Sequence, residues 1–156
     1  MSTTMKDLVE AHPFMTSMNE ESIELVSGCA RNVVFAPGDL LCAEGGEADT
    51  FYLLRRGRVS ISVHVPGRGS VVIETVGAGD VVGWSWLVPP YRCTFDARSV
   101  DAVGCIAIDG ACLRVKSLTN PSLGFALLSK VSMTLLERLQ ATRMRLLDLY
   151  GDHRVK

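Results

Sequence analysis

A mainly β fold framed by helices at both ends is what this sequence predicts, and three observations carry it. Across residues 31–109, short apolar stretches are broken at close intervals by Gly and Pro. Within them, residues 58–65 alternate polar and apolar with a period of two, the mark of a half-buried strand. From residue 121 to residue 150, Gly124 alone interrupts an otherwise helix-compatible run. The 156 residues fit a single domain, residues 1–156, made of N-terminal helices (1–30), a β region (31–109) and C-terminal helices (110–156). With 47% hydrophobic and 21% charged residues, the chain has the balance of an ordinary globular protein.

The elements follow in order. In the first part, Ser17-Met18-Asn19-Glu20 resembles a capping box with Ser17 or Asn19 as the cap. Ile23, Leu25, Val26 and Ala30 then give an approximate helical stripe. Pro13, in His12-Pro13-Phe14, breaks any longer helix, because proline pushes the residue before it out of helical geometry. In the middle part, residues 33–35 run into Pro37-Gly38-Asp39, a turn in which Pro fixes φ and Gly permits φ > 0. Residues 40–42 lead into Glu44-Gly45-Gly46-Glu47, and residues 51–54 form the next strand. Residues 58–65 and 70–76 pair as a hairpin whose tip is Pro66-Gly67-Arg68-Gly69. Val81-Val82, 93–100 and 102–108 complete the set. Many short strands at this spacing suggest a β-sandwich, a jelly roll or a barrel.

In the last part, Asn120 is placed as a helix N-cap with Pro121 at the first helical position. A continuous helix to residue 150 would be about 45 Å long. Leu128, Leu135, Thr142 and Leu149 recur every seven residues, with Leu139 and Leu146 between them and Ser132 as the polar exception. This approximates a coiled-coil seam. Val131, Met133, Leu136, Met144 and Leu147 make a second apolar face. A helix apolar on two sides needs two sets of neighbours. The second face is therefore expected to dock on the β region, and the heptad face to meet a second copy of the chain.

Composition excludes several function classes. Lys plus Arg number 16 and Asp plus Glu 17, a net charge of -1, which argues against a dedicated nucleic-acid surface. No apolar run approaches the roughly 18 residues that cross a bilayer, and residues 1–7 lack a signal-peptide layout. A cytoplasmic protein without membrane contact is expected. Cys29, Cys42, Cys93, Cys105 and Cys112 are scattered without a CxxC pair, so they read as reduced, mostly buried small hydrophobes and not as metal ligands. His12, His64 and His153 are equally dispersed. No paired carboxylates, nucleophile elbow, metal-ligand spacing or phosphate-binding glycine loop can be nominated, so neither catalysis nor a cofactor is expected.

One set of motifs is more specific. Phe35-Ala36-Pro37-Gly38-Asp39-Leu40-Leu41 is followed by Glu44-Gly45-Gly46-Glu47-Ala48-Asp49-Thr50-Phe51-Tyr52-Leu53-Leu54 and Arg56-Gly57-Arg58-Val59-Ser60-Ile61. Further on come Gly77-Ala78-Gly79-Asp80-Val81-Val82-Gly83 and a compact segment ending at Arg92. In this order the motifs resemble the cyclic nucleotide-binding domains of the catabolite activator protein type, over roughly residues 14–150. The resemblance implies a β jelly roll with N-terminal helices and a long C-terminal dimerisation helix. It implies a cyclic nucleotide, cyclic AMP or cyclic GMP, held between the roll and a short phosphate-binding helix. A helix N-terminus offers free N–H groups to a phosphate, and an Arg adds a planar fork.

Carried over residue by residue, Gly83 matches the family's Gly and Arg92 its phosphate-binding Arg. Trp84 stands where the family has the Glu that accepts from the ribose hydroxyl. A hydrogen bond to a charged group is worth roughly 1.5–3 kcal/mol, so that exchange costs about ten- to hundredfold in affinity unless another group replaces it. Ser85, Cys93 and Thr94 complete the candidate loop. Pro89-Pro90 shortens the segment before Arg92 relative to the family. Thr142 matches the family's base-contacting Thr on the dimer helix, and Arg143 stands where a partner subunit can contribute a polar residue. The plainer readings are a surface Arg92 pairing with Asp96, packing roles for Trp84 and Trp86, and a tolerated seam position for Thr142. The family's transcription factors carry a helix-turn-helix domain after the long helix; only residues 152–156 follow Gly151 here, so direct DNA recognition is not expected. The expected function is a homodimeric ligand-sensing regulatory module acting on a protein partner. The alternative is a degenerate member serving as an interaction or structural domain.

Overall fold

The computed structural model describes residues 3–154, with the side chains of 152–154, His153 among them, outside the described set. Helix α1 (Met5–Ala11) opens on a capping box that the sequence reading did not single out: the Thr4 hydroxyl accepts from Asp7 N–H, and the Asp7 carboxylate accepts from Thr4 N–H. His12 ends α1 and caps the 3-10 turn Pro13–Met15. Helix α2 (Glu20–Ser27) takes Asn19 as its N-cap, with the side chain accepting from Ser22 N–H at 2.8 Å. Ser17 instead takes φ +70° in the preceding turn.

Eight strands follow: β1 (Ala30–Phe35), β2 (Leu40–Cys42), β3 (Thr50–Arg56), β4 (Val59–Val65), β5 (Gly69–Val76), β6 (Val81–Val82), β7 (Asp96–Ser99) and β8 (Val103–Asp109). They form two antiparallel four-stranded sheets, ordered β1-β8-β3-β6 and β2-β7-β4-β5, the jelly roll of the expectation. The β4–β5 hairpin closes as read, from Val59↔Val76 to Val65↔Gly69. The strand expected over 93–100 begins only at Asp96, because Cys93 N–H donates to the Gly46 carbonyl and Arg92 bridges to Glu47.

Strand side chains alternate between faces, and β3 and β8 use both. Phe51, Leu53, Ile106 and Ile108 face a helical layer that includes Val26, Trp86, Leu113, Leu123 and Leu127. Tyr52, Leu54, Cys105 and Ala107 face the interior of the roll with Val59, Ile61, Phe95 and Ala97. A strand buried on both sides reads as a continuous apolar run rather than an alternating one, which is why residues 51–54 are apolar throughout.

Helix α3 (Gly110–Thr119) and helix α4 (Pro121–Arg154) complete the chain. Asn120 holds the expected place before α4, but its side-chain amide turns back and donates to the Lys116 carbonyl at the end of α3. The face of α4 that docks is Leu123, Leu127 and Val131, all buried, continued by Arg138. Of the second apolar face only Val131 is buried; Met133, Leu136, Met144 and Leu147 are exposed, so the expectation that this face docks is corrected. Leu128, Leu135, Leu139, Leu146 and Leu149 are exposed as well.

The cysteine reading is also corrected. Cys29, just after α2, and Cys112, in the first turn of α3, form a disulfide with Cα atoms 5.9 Å apart. Spacing along the sequence carried no trace of this contact, which joins positions separated by 83 residues. Cys93 and Cys105 are free and buried, and Cys42 is free and half-buried.

Candidate functional site

The segment from Gly83 to Thr94 is pinned along its length. Gly83 has φ +88°, and a Cβ there would stand 2.7 Å from the Thr50 carbonyl oxygen, so both conformation and space require glycine. The next residues form a four-residue 3-10 turn, Trp84–Leu87. Trp86 is fully buried against Phe51, with ring centroids 5.8 Å apart. Its carbonyl accepts from Arg114 Nη1 of α3 at 2.6 Å, and the same guanidinium lies 4.2 Å over the Tyr91 ring. The Pro89-Pro90 bond is cis. Beyond it, Ala48 N–H donates to the Tyr91 carbonyl and Gly45 N–H to the Cys93 carbonyl, which fastens the segment to the loop between β2 and β3.

Arg92 is exposed and makes no ion pair among the described residues. The pairing with Asp96 does not form; Asp96 instead accepts from Glu44 N–H at 2.7 Å. Arg92 lines a cavity of about 340 Å³ with Tyr91, Arg114, Glu47, Asp49 and Asp109. Thr94 is exposed, Cys93 is buried and Ser85 is half-buried.

Trp84 lies at the mouth of the roll. Its ring meets the edge of Phe95 at 6.1 Å, and the guanidinium of Arg138 covers it at 4.3 Å. Arg138 donates to the Val81 carbonyl at 2.8 Å and faces Glu74 at 3.8 Å. Burial draws its pKa below the usual arginine range, against the opposing pull of Glu74. A cation over an indole face is worth about 0.5–2 kcal/mol, more as it loses water. The roll end of the site therefore carries a tryptophan stacked under an arginine, where the family resemblance implied a carboxylate. Arg138 was not nominated from sequence; the available signal was its place one helical turn before Thr142. Thr142 and Arg143 are exposed on α4, and the Thr142 hydroxyl donates to the Arg138 carbonyl at 2.8 Å. Gly83, Trp84, Ser85, Arg92, Cys93 and Thr94 share one segment, whereas Thr142 and Arg143 stand on α4 outside it.

A family model described as the cyclic nucleotide-binding domain matches residues 32–116, more than half of the chain. The chain belongs to that family. Among solved structures, a candidate cyclic nucleotide-binding protein from Geobacter metallireducens superposes with a TM-score of 0.78 at 28% identity, over 86% of this chain and 97% of that one. The catabolite activator protein of Thermus thermophilus gives a TM-score of 0.69 at 17% identity, over 89% of this chain and 63% of that one, a likeness of fold alone. Among curated relatives, a cyclic nucleotide-gated cation channel subunit of Drosophila melanogaster is 40% identical over 50 residues, which are 32% of this chain and 7% of the channel subunit. A cGMP-dependent protein kinase of the same organism is 24% identical over 66% of this chain and 11% of the kinase. The chain thus spans about a tenth of the length of these curated relatives. Within this regulatory family, the present member has, among its described residues, no helix long and apolar enough to cross a membrane. Among its described residues no cluster of His, Cys, Asp and Glu is placed to hold a metal ion.

Proposed function

We propose that this chain is a ligand-sensing regulatory module that binds a cyclic nucleotide or similar small anion beside the segment from Gly83 to Thr94. The observation that carries the reading is Arg92: an exposed arginine without an ion-pair partner among the described residues, on a segment fixed at both ends. A guanidinium so placed suits the oxygens of a phosphate. Cyclic AMP and cyclic GMP are the first ligands to consider. With Trp84 in the place of the family's Glu, the sugar is read by another group or not at all, and the affinity is about ten- to hundredfold lower for that loss. Signalling runs through α4, whose exposed leucines suit a second copy of the chain; Thr142 and Arg143 are the α4 residues assigned to the ligand.

A second reading has its own support. Arg138 stacks on Trp84 and Trp84 packs on Phe95, an arrangement that supports a member that has given up nucleotide binding for a role in protein interaction. Isothermal titration of ligand-free protein with cyclic AMP and cyclic GMP separates the two. Saturable heat that disappears in Arg92→Ala supports the sensor. No heat up to millimolar ligand, with Arg92→Ala indistinguishable from the parent, supports the closed member.

A further inference from the structure

The disulfide between Cys29 and Cys112 joins the residue before β1 to the first turn of α3. Cys29 belongs to the sheet: its carbonyl accepts from Asp109 N–H at 3.0 Å, and the next residue opens the β1–β8 ladder at Ala30↔Ile108. Cys112 belongs to α3, which carries Arg114 one half-turn further on. Arg114 is the residue that holds the Trp86 carbonyl and covers Tyr91, next to Arg92. The opening residue of α3, Gly110, is also pressed against Trp86; a Cβ on it would stand 2.9 Å from Trp86 Cβ. Besides the disulfide, Lys116 Nζ donates to the Leu25 carbonyl at 2.8 Å, and Leu113 of α3 is buried in the same apolar cluster as Ile23 and Val26 of α2.

The five cysteines also differ in access. Cys29 and Cys112 are both half-buried. Cys93 and Cys105 are buried. The pKa of Cys105 is pushed up to about 11 by burial, and that of half-buried Cys42 also rises, chiefly through burial. Thiols held protonated in this way are poor nucleophiles and poor exchange partners.

We propose that Cys29–Cys112 is a thiol–disulfide exchange site, taking small thiols of the glutathione class, and that its redox state sets how firmly α3 holds the segment carrying Arg92. In the reducing direction, one small thiolate attacks a sulfur of the bond and releases the other cysteine as a thiolate, leaving a mixed disulfide. A second small thiolate attacks the small-molecule sulfur of that mixed disulfide, releases the second cysteine and departs as the small-molecule disulfide. The protein gains two electrons and, from solvent, two protons. Reduction removes the covalent tie between Cys29 and the first turn of α3, which stays joined to β8 and held by Gly110 N–H on the Asp49 carbonyl and Cys112 N–H on the Asp109 carboxylate, and Arg114 shifts against Trp86. The proposal does not depend on what ligand, if any, the segment binds.

The chain carries its own reporter, because its two tryptophans, Trp84 and Trp86, both lie in that segment. Full-length protein is equilibrated with oxidised or reduced glutathione, then either alkylated under denaturing conditions and weighed, or examined folded by tryptophan emission and circular dichroism. The expected result is three alkylated cysteines in the oxidised protein and all five in the reduced one. A reversible change in tryptophan emission accompanies reduction, with the folded circular dichroism spectrum retained. The variants Cys29→Ser and Cys112→Ser carry the reduced emission under both conditions; should either fail to fold, the wild-type comparison decides alone. The proposal is overturned by an alkylation count that does not respond to glutathione. It is equally overturned by reduction that leaves emission unchanged, or by reduction that unfolds the chain, since the bond is then only a structural tie.

Discussion

At Gly83 two demands coincide, a φ of +88° and a carbonyl oxygen 2.7 Å from any Cβ. Gly83→Ala is therefore expected to lose about 2 kcal/mol or more of stability, since left-handed strain alone costs about 1–3 kcal/mol; urea unfolding followed by circular dichroism measures it. His12 is the other residue with a sharp expectation. It is buried, its Nδ1 accepts from Phe14 N–H at 3.1 Å, and its Nε2 meets the Leu54 carbonyl at 2.8 Å. That pattern fixes the neutral imidazole, and burial lowers the pKa below 6.5. The unfolded chain then binds the extra proton first as pH falls. The stability His12 contributes is full above about pH 6.5 and is lost as pH falls through the lowered folded value. Midpoints of urea unfolding should fall on going from pH 7.5 to pH 5, with a smaller fall in His12→Gln. Residues of this kind differ in how legible they are. Gly83 stood out because it sits in a spaced motif. Arg138 did not, because nothing along the chain marks which side chain a helical arginine will cover.

Helix α4 shows what an element reveals and conceals. Its existence and its start at Pro121 were readable from proline placement and from the lack of breakers. Its docking face was not, because apolar residues surround the helix and pattern alone cannot rank them. The three that dock, Leu123, Leu127 and Val131, lie early in the helix, where α3 and the roll supply neighbours; the apolar residues after Val131 are all exposed. Leu139, 46% exposed, is a position where a charge costs little in the isolated fold. Leu139→Glu is expected to retain the folded circular dichroism spectrum and to convert a dimer to a monomer in sedimentation, with the unfolding midpoint lowered only by the loss of association. A dimer that survives this change would place the contact on another surface.

Across the whole molecule, the run of short strands, the hairpin and the order of helices were legible because turn residues punctuate the strands, while the choice of a jelly roll among all-β folds came from the resemblance. What stayed hidden were side-chain contacts between distant parts of the chain, among them the Cys29–Cys112 bond, the hold of Arg114 on Trp86 and the cover of Arg138 over Trp84. These contacts converge on the segment from Gly83 to Thr94, so one observation at that segment tests the account most directly. The two indole N–H resonances of isotopically labelled protein, assigned with Trp84→Phe and Trp86→Phe, are followed during titration with cyclic AMP and then cyclic GMP. A saturable shift of the Trp84 signal with at least one nucleotide, absent in Arg92→Ala, is the expected result for a ligand sensor. Two indole signals that stay fixed up to millimolar concentrations of both nucleotides would contradict it.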